Sequence, residues 1–233
     1  MTVTAIIVGG GTGERFGRPG GKQFAPLAGG TVLGHTIAAF EACDAVTEVV
    51  VVTHPDTVAE CAELMAPFPK VTGVVAGGAT RQESVASGLA VVAGDAELVV
   101  VHDGARPLVL PETIVSAVEA LRASEHDGVV VGHPSYDTVK RVDDGLRVIA
   151  TEDRDRLWLA QTPQVFRTAP FKAAYAAATG AFDAIGATDD ARLVERAGGS
   201  VGMVLGPRDN LKITVPEDLA IAEQVLAQRG RSW

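Results

Sequence analysis

Short runs of β-branched and aliphatic residues, alternating with stretches of helical spacing, fix the class of fold this chain can adopt. The runs are Val3 to Val8, Glu48 to Thr53, Val71 to Ala76, Leu98 to Val101 and Gly128 to Gly132, and they read as buried strands. Helical patterns at about 31–43, 56–66, 81–93 and 111–124 lie between them, each long enough to cross back over a sheet. Alternation of this kind predicts an α/β fold with a mainly parallel sheet and helices on both faces. At 233 residues and 47% hydrophobic content, one large domain over residues 1–233 fits better than two small ones.

The rhythm breaks between Pro134 and Trp158. Asp143-Asp144-Gly145 is a turn signal between Thr138 to Val142 and Leu146 to Thr151, which predicts a β-hairpin arm projecting from the sheet over about 134–158. After it come helices near 167–179 and 188–198, then a strand with Asn210 to Thr214 at its end. Pro216-Glu217-Asp218 opens a closing helix, since proline suits the first turn and acids suit its positive end.

A formal net charge of -9 argues against a nucleic-acid or anionic-membrane surface, which needs clustered Lys and Arg. Any cations that bind phosphate must be focused locally. Cys43 and Cys61 offer neither a disulfide framework nor metal-ligand spacing, and no signal-like opening or long apolar run is present, so a soluble cytoplasmic protein is expected.

The first strand runs into Gly9-Gly10-Gly11-Thr12-Gly13-Glu14-Arg15-Phe16-Gly17, with Lys22-Gln23 soon after. Such a turn exposes consecutive backbone N–H groups that can cradle phosphate oxygens. A dinucleotide fingerprint fails because Glu14 and Phe16 stand where its third glycine would fall. A Walker A loop fails because Gln23, not Ser or Thr, follows Lys22. Arg15 and Lys22 add the cations that a triphosphate needs when charge builds during attack at phosphorus, although a tight turn with solvated cations would use the same residues. His102-Asp103-Gly104-Ala105-Arg106-Pro107 puts Asp103 at the carboxyl end of another strand, where open α/β sheets bind ligands. There Asp103 can coordinate Mg²⁺ or accept from substrate hydroxyls, and Arg106 can hold a phosphate or orient Asp103.

Together with Gly77-Gly78-Ala79-Thr80-Arg81-Gln82-Glu83-Ser84-Val85, these motifs resemble the methylerythritol phosphate cytidylyltransferase family. The match continues through Asp137-Thr138-Val139-Lys140-Arg141, Gln161-Thr162-Pro163-Gln164, Thr188-Asp189-Asp190-Ala191 and Asn210-Leu211-Lys212-Ile213-Thr214, in order over nearly the whole chain. The resemblance implies a single Rossmann-like nucleotidyltransferase domain whose arm serves dimerisation. It further implies that Gly9, Gly10, Gly11, Thr12 and Gly13 wrap the phosphates of CTP, while Gly78 and Ser84 define the cytosine and ribose pocket. Arg15, Lys22 and Lys212 match catalytic cations, and Asp103 matches the acid near Mg²⁺ and the polyol. Thr138 and Arg154 match residues that bind the acceptor phosphate from a partner subunit, implying a homodimer with shared active sites. Val8-Gly9-Gly10-Gly11 stands where the family usually has Pro-Ala-Ala-Gly, and this opening is also similar to the related ribitol-5-phosphate cytidylyltransferases. Asp137 to Arg141 and the Asp153-Arg154 to Trp158 segment look more like the methylerythritol branch. A non-catalytic nucleotide-binding module would be expected to lose a transition-state cation; Arg15, Lys22 and Lys212 are all present.

Overall fold

The computed structural model describes residues 2–11, 16, 21–178, 182 and 189–230. In chain order, β1 (Val3–Val8) is followed by a small pair, β2 (Pro26–Leu27) and β3 (Gly30–Thr31), and then by α1 (Val32–Glu41), β4 (Glu48–Thr53), α2 (Val58–Met65), β5 (Val71–Ala76) and α3 (Arg81–Ala90). The middle of the chain supplies β6 (Leu98–Asp103), α4 (Pro111–Arg122), β7 (Gly128–Pro134), β8 (Lys140–Val142) and β9 (Val148–Thr151). It closes with β10 (Trp158–Arg167), α5 (Thr168–Ala178), α6 (Ala191–Arg196), β11 (Val201–Leu205) and α7 (Glu217–Gln228). All five apolar runs are strands.

Seven strands form one sheet in the order β11-β7-β10-β6-β1-β4-β5, parallel except for β10, which runs antiparallel to both neighbours. Alternate residues of each strand feed opposite faces, as the pleat requires. Val3, Ala5 and Ile7 pack in one core with Leu33, Ile37 and Phe40 of α1, Cys61 and Met65 of α2, and Ile114 and Leu121 of α4. Ile6, Val99 and Val101 pack in the other with Val85 of α3, Phe171 of α5 and Leu193 of α6. Helices therefore cover both faces. Chain direction across the sheet reverses beside β1, since β4 and β5 lie on one side and β6 on the other. The crevice at such a switch point is where ligands bind.

One strand goes beyond the expected set and one expectation is corrected. The Gln161-Thr162-Pro163-Gln164 segment belongs to the central strand β10, which a proline and three polar residues disguise. The proline falls within a register shift between Ala160 and Gln164, the kind of place where a missing N–H is tolerated, and Gln161, Thr162 and Gln164 are buried because their side chains are hydrogen-bonded. Asn210 to Thr214 is not strand; β11 ends at Leu205 and this segment is a loop. The arm forms as expected, with β8 and β9 paired antiparallel around Asp143-Asp144-Gly145, where Asp143 Oδ1 accepts from the N–H groups of Gly145 and Arg147.

Candidate active site

Val8 pairs in register with Val52 and with Asp103, so β1, β4 and β6 end at one level. The loops leaving β1, β5 and β6 are tied to neighbouring strands: Gly9 N donates to Val52 O at 2.7 Å, Gly77 N to Thr53 O at 2.8 Å and Gly104 N to Val8 O at 2.8 Å. They enclose a cleft of about 490 Å³. Gly9, Gly10, Gly11, Lys22, Gly78, Ser84, Asp103 and Lys212 all line it. Thr12, Gly13 and Arg15 lie outside the described residues. Arg106 stands behind Asp103, its Nη1 donating to Asn210 O at 2.8 Å. Thr138 and Arg154 are exposed on and beside the arm, with Arg154 Nη1 donating to Tyr136 O; neither lines the cleft of its own chain.

Side chains without an assigned role shape the backbone of the cleft. Gln23, buried in a 3₁₀ turn, donates through Nε2 to the carbonyls of Gly9 and Gly11 and so ties down the acceptor side of that loop. Thr80 and Glu83 form a reciprocal capping box at the start of α3, satisfying two of the orphan donors of that helix end. A Cβ at Gly78 would fall 2.4 Å from Glu83 Cβ, so this approach requires glycine. Ser84 Oγ accepts from Gly78 N at 3.2 Å and donates to Thr80 O at 2.9 Å.

Asp103 is the electrostatic centre. Lys212 Nζ lies 2.8 Å from its Oδ2, Arg81 Nε lies 3.1 Å from Oδ1, and Arg106 Nε lies 3.6 Å from Oδ2. Burial by itself would raise the carboxyl pKa, but Arg81, Lys212 and Arg106 outweigh it and hold Asp103 well below the usual carboxylate range. The group is an anion at any working pH. Arg81 also reaches Asp190, with Nη1 2.7 Å from Oδ2; burial opposes its charge, yet Asp190 and Asp103 push its pKa above the ordinary value.

Behind this centre, Asp103 N donates to Thr162 Oγ1 at 3.1 Å, and Thr162 Oγ1 lies 3.0 Å from His102 Nδ1. His102 Nε2 is 3.3 Å from Arg106 O. With Thr162 donating to Nδ1 and Nε2–H donating to the carbonyl, a neutral imidazole satisfies the chain of partners. Burial lowers the His102 pKa to about 3, against the opposing pull of Asp103. Asn210 Nδ2 donates to Thr162 O at 2.8 Å, and Ile213 N to Ala105 O at 2.8 Å, which brings Lys212 to the cleft from a distant part of the sequence.

A switch-point crevice with a glycine cradle on one side and a carboxylate held among cations on the other defines the nucleotidyltransferase class of α/β enzymes. A family model described as 2-C-methyl-D-erythritol 4-phosphate cytidylyltransferase matches residues 3–228. The chain belongs to that family. It is 42% identical over 230 residues to the 2-C-methyl-D-erythritol 4-phosphate cytidylyltransferase of Alkaliphilus metalliredigens, covering 97% of this chain and 94% of the relative. With the protein of the same name from Geobacter metallireducens it shares 41% identity, over 98% and 99% of the two chains. Among solved structures, the 4-diphosphocytidyl-2C-methyl-D-erythritol synthase of Anaerococcus prevotii superposes with a TM-score of 0.86 at 29% identity, covering 97% and 98%. The 2-C-methyl-D-erythritol 4-phosphate cytidylyltransferase of Thermus thermophilus superposes with a TM-score of 0.77 at 33% identity, covering 97% and 100%.

Sequence reasoning gave no role to Arg81, Gln23 or Asp190. Arg81 and Asp190 each lie inside a quoted motif, and Gln23 follows Lys22; the motifs marked the right segments without saying that two of these side chains meet.

Proposed function

We propose that this chain transfers CMP from CTP to the phosphate of 2-C-methyl-D-erythritol 4-phosphate, forming the CDP-polyol and releasing pyrophosphate, a step of isoprenoid precursor synthesis. The observation that carries this is the meeting, in one switch-point cleft, of the glycine loop after β1 with the Lys212–Asp103 pair. An acceptor phosphate oxygen attacks the α-phosphorus in line, and pyrophosphate leaves. Both reactants are anionic, so their approach is the main electrostatic problem. Arg15, Lys22 and Lys212 offset that repulsion and the charge of the transition state, leaving positioning as the rest of catalysis. A phosphate monoester, with a second pKa of about 6, is already mostly ionised near neutral pH and needs no general base. Asp103, held as an anion, accepts from polyol hydroxyls.

No cluster of three His, Cys, Asp or Glu able to hold a metal occurs among the described residues. A single carboxylate still fits Mg²⁺, which takes most of its ligands from water and substrate phosphates. Asp103 engages Arg81 at one oxygen and Lys212 at the other, while an ionised carboxylate offers about four acceptor positions. Asp103 and the triphosphate would hold the ion, which would supply further neutralisation of phosphate charge.

A second copy completes the site in this proposal. The hairpin exposes Val142, Leu146, Val148 and Ile149, with Leu146 80% exposed, an apolar surface of the kind that pairs with another chain. Thr138 and Arg154 would then bind the acceptor phosphate in the partner's cleft. A reducing cytoplasm suits Cys43 and Cys61, which are buried and free; burial raises both thiols, Cys61 to about 11, and keeps them inert. No helix among the described residues is long and apolar enough to cross a membrane.

Pyrophosphate release with CTP and a panel of methylerythritol phosphate, ribitol phosphate and other polyol phosphates tests reaction and acceptor together. The highest kcat/KM is expected with methylerythritol phosphate. A preference for ribitol phosphate would overturn the acceptor, and no release with any of them would overturn the reaction.

A further inference from the structure

Asp190 is fully buried, outside the cleft lining, and clamped from several directions. Its Oδ1 accepts from the Tyr175 hydroxyl of α5, and its Oδ2 lies 2.7 Å from Arg81 Nη1. Its N–H and that of Ala191 both donate to Gln164 Oε1 of β10 at 3.2 Å, while Gln164 Nε2 donates to Asp189 Oδ2 at 3.1 Å. Burying a carboxylate costs several kcal/mol of desolvation, and an apolar group of similar volume is often neutral or better for stability. Fold stability by itself gives no reason for a charge here.

The reason lies at the other edge of the Arg81 guanidinium. Arg81 lines the cleft, and its planar, rigid group presents Nη1 to Asp190 and Nε to Asp103 Oδ1 at 3.1 Å. Fixing one edge of the plane therefore fixes the other. Arg81, Arg106 and Lys212 against Asp103 and Asp190 leave one positive charge in excess. Removing the buried carboxylate would leave two in excess, and a half-released guanidinium beside a cleft that takes a triphosphate.

On the basis of the cytidylyl transfer proposed above, we infer that Asp190 is a positioning residue: acting through Arg81, it holds the Asp103 carboxylate in place and keeps that guanidinium off the nucleotide phosphates. Gln164 and Tyr175 brace it from the sheet and from α5.

Asp190→Asn keeps the shape of the side chain and an acceptor for Tyr175. Its kcat is expected to fall about ten- to hundredfold, the scale of a small misplacement in a site. CTP, titrated calorimetrically, should bind no more weakly and at full stoichiometry. A merely structural loss would instead lower binding stoichiometry and kcat together. In an Arg81→Gln background, Asp190→Asn should cost nothing further, because the partner it acts through is gone. A kcat within about twofold of the parent, or an equal further loss in the Arg81→Gln background, would overturn the inference. Should Asp190→Asn fail to fold, Tyr175→Phe carries the same cycle with a loss of about threefold, the scale of one net hydrogen bond. The clamp is also read without turnover: the Arg81 Nε–H exchanges slowly by NMR in the parent and quickly in the variant. Unchanged exchange sinks the clamp. A parent that shows this contrast yet releases no pyrophosphate counts against the reaction and not against the clamp.

Discussion

Lys212 is the cation whose role is easiest to separate from the fold. Its side chain is 40% exposed and reaches Asp103 Oδ2 at 2.8 Å, while Arg81 and Arg106 also pair with that carboxylate. Lys212→Ala should therefore lower stability by no more than about 1 kcal/mol, the upper end for a partly exposed ion pair. Turnover is another matter, because a charge contact made mainly in the transition state is worth roughly 2.7–4 kcal/mol, by analogy with a lost oxyanion-hole donor. Urea denaturation and steady-state kinetics on one preparation check both numbers, and near-parental kcat in the folded variant refutes a catalytic role.

At the scale of elements, the cleft depends on how closely α3 lies against the sheet. Gly88 faces β1 and β4, where an added Cβ would stand 2.6 Å from Ile6 Cγ2 and 3.0 Å from Val52 Cγ2. Alanine is favoured over glycine by about 1 kcal/mol inside a helix, whereas overpacking a core costs about 1–3 kcal/mol. The second effect wins, so Gly88→Ala should lower stability by up to about 2 kcal/mol. Its helix begins with the capping box beside Gly78 and Ser84, so the KM for CTP should rise with the displacement of α3 while kcat at saturation changes little. A thermal melt that moves upward would show that the helix has room to shift and that the close packing was not required.

Two expectations belong to the whole molecule. His102 and His35 are both buried, and burial lowers both imidazole pKa values, to about 3 for His102. Between about 6.5, the ordinary value, and 3 the unfolded chain binds protons that the folded chain refuses. Stability should therefore fall as pH drops through this window, by up to about 1.4 kcal/mol per pH unit for each proton taken up. Asp103, whose pKa is depressed, adds loss in the same direction only once pH falls below its ordinary 3.8. Urea midpoints in chelator-containing buffer from pH 7 to 4.5 should decline less steeply in His102→Gln than in the parent; equal slopes remove His102 from the account. The second expectation concerns assembly. Arg154→Ala should raise KM for the polyol phosphate with CTP binding nearly unchanged. If the dimer proposed above shares its sites, mixing with Lys22→Ala subunits should restore activity, because exchanged dimers would carry one doubly defective site and one intact site. Verified heterodimers with only the average activity of the two parents would mean that the arm serves its own subunit.

Alternating apolar runs and helical spacing sufficed for the class of fold, because strand and helix periods are local properties of the chain and four of the five runs are buried almost throughout, the edge strand β5 being partly exposed. Glycine and cation motifs likewise sufficed for Gly9, Lys22 and Asp103, and the family resemblance added Gly78 and Lys212; all five line one cleft. Strand β10 was illegible because Gln161, Thr162 and Gln164 are polar for tertiary reasons: each is satisfied by a partner far away in sequence, and no local pattern reports that. The same holds for Asp190, which reads as an ordinary helix-start acid until the fold brings the start of α6 to Arg81 at the start of α3. Sequence periodicity determined most of the strands and helices, and the glycine and cation motifs marked the loops that meet at the cleft. Only the packing of those segments decided which buried charge neutralises which, since a carboxylate taken out of water must find its cation in three dimensions.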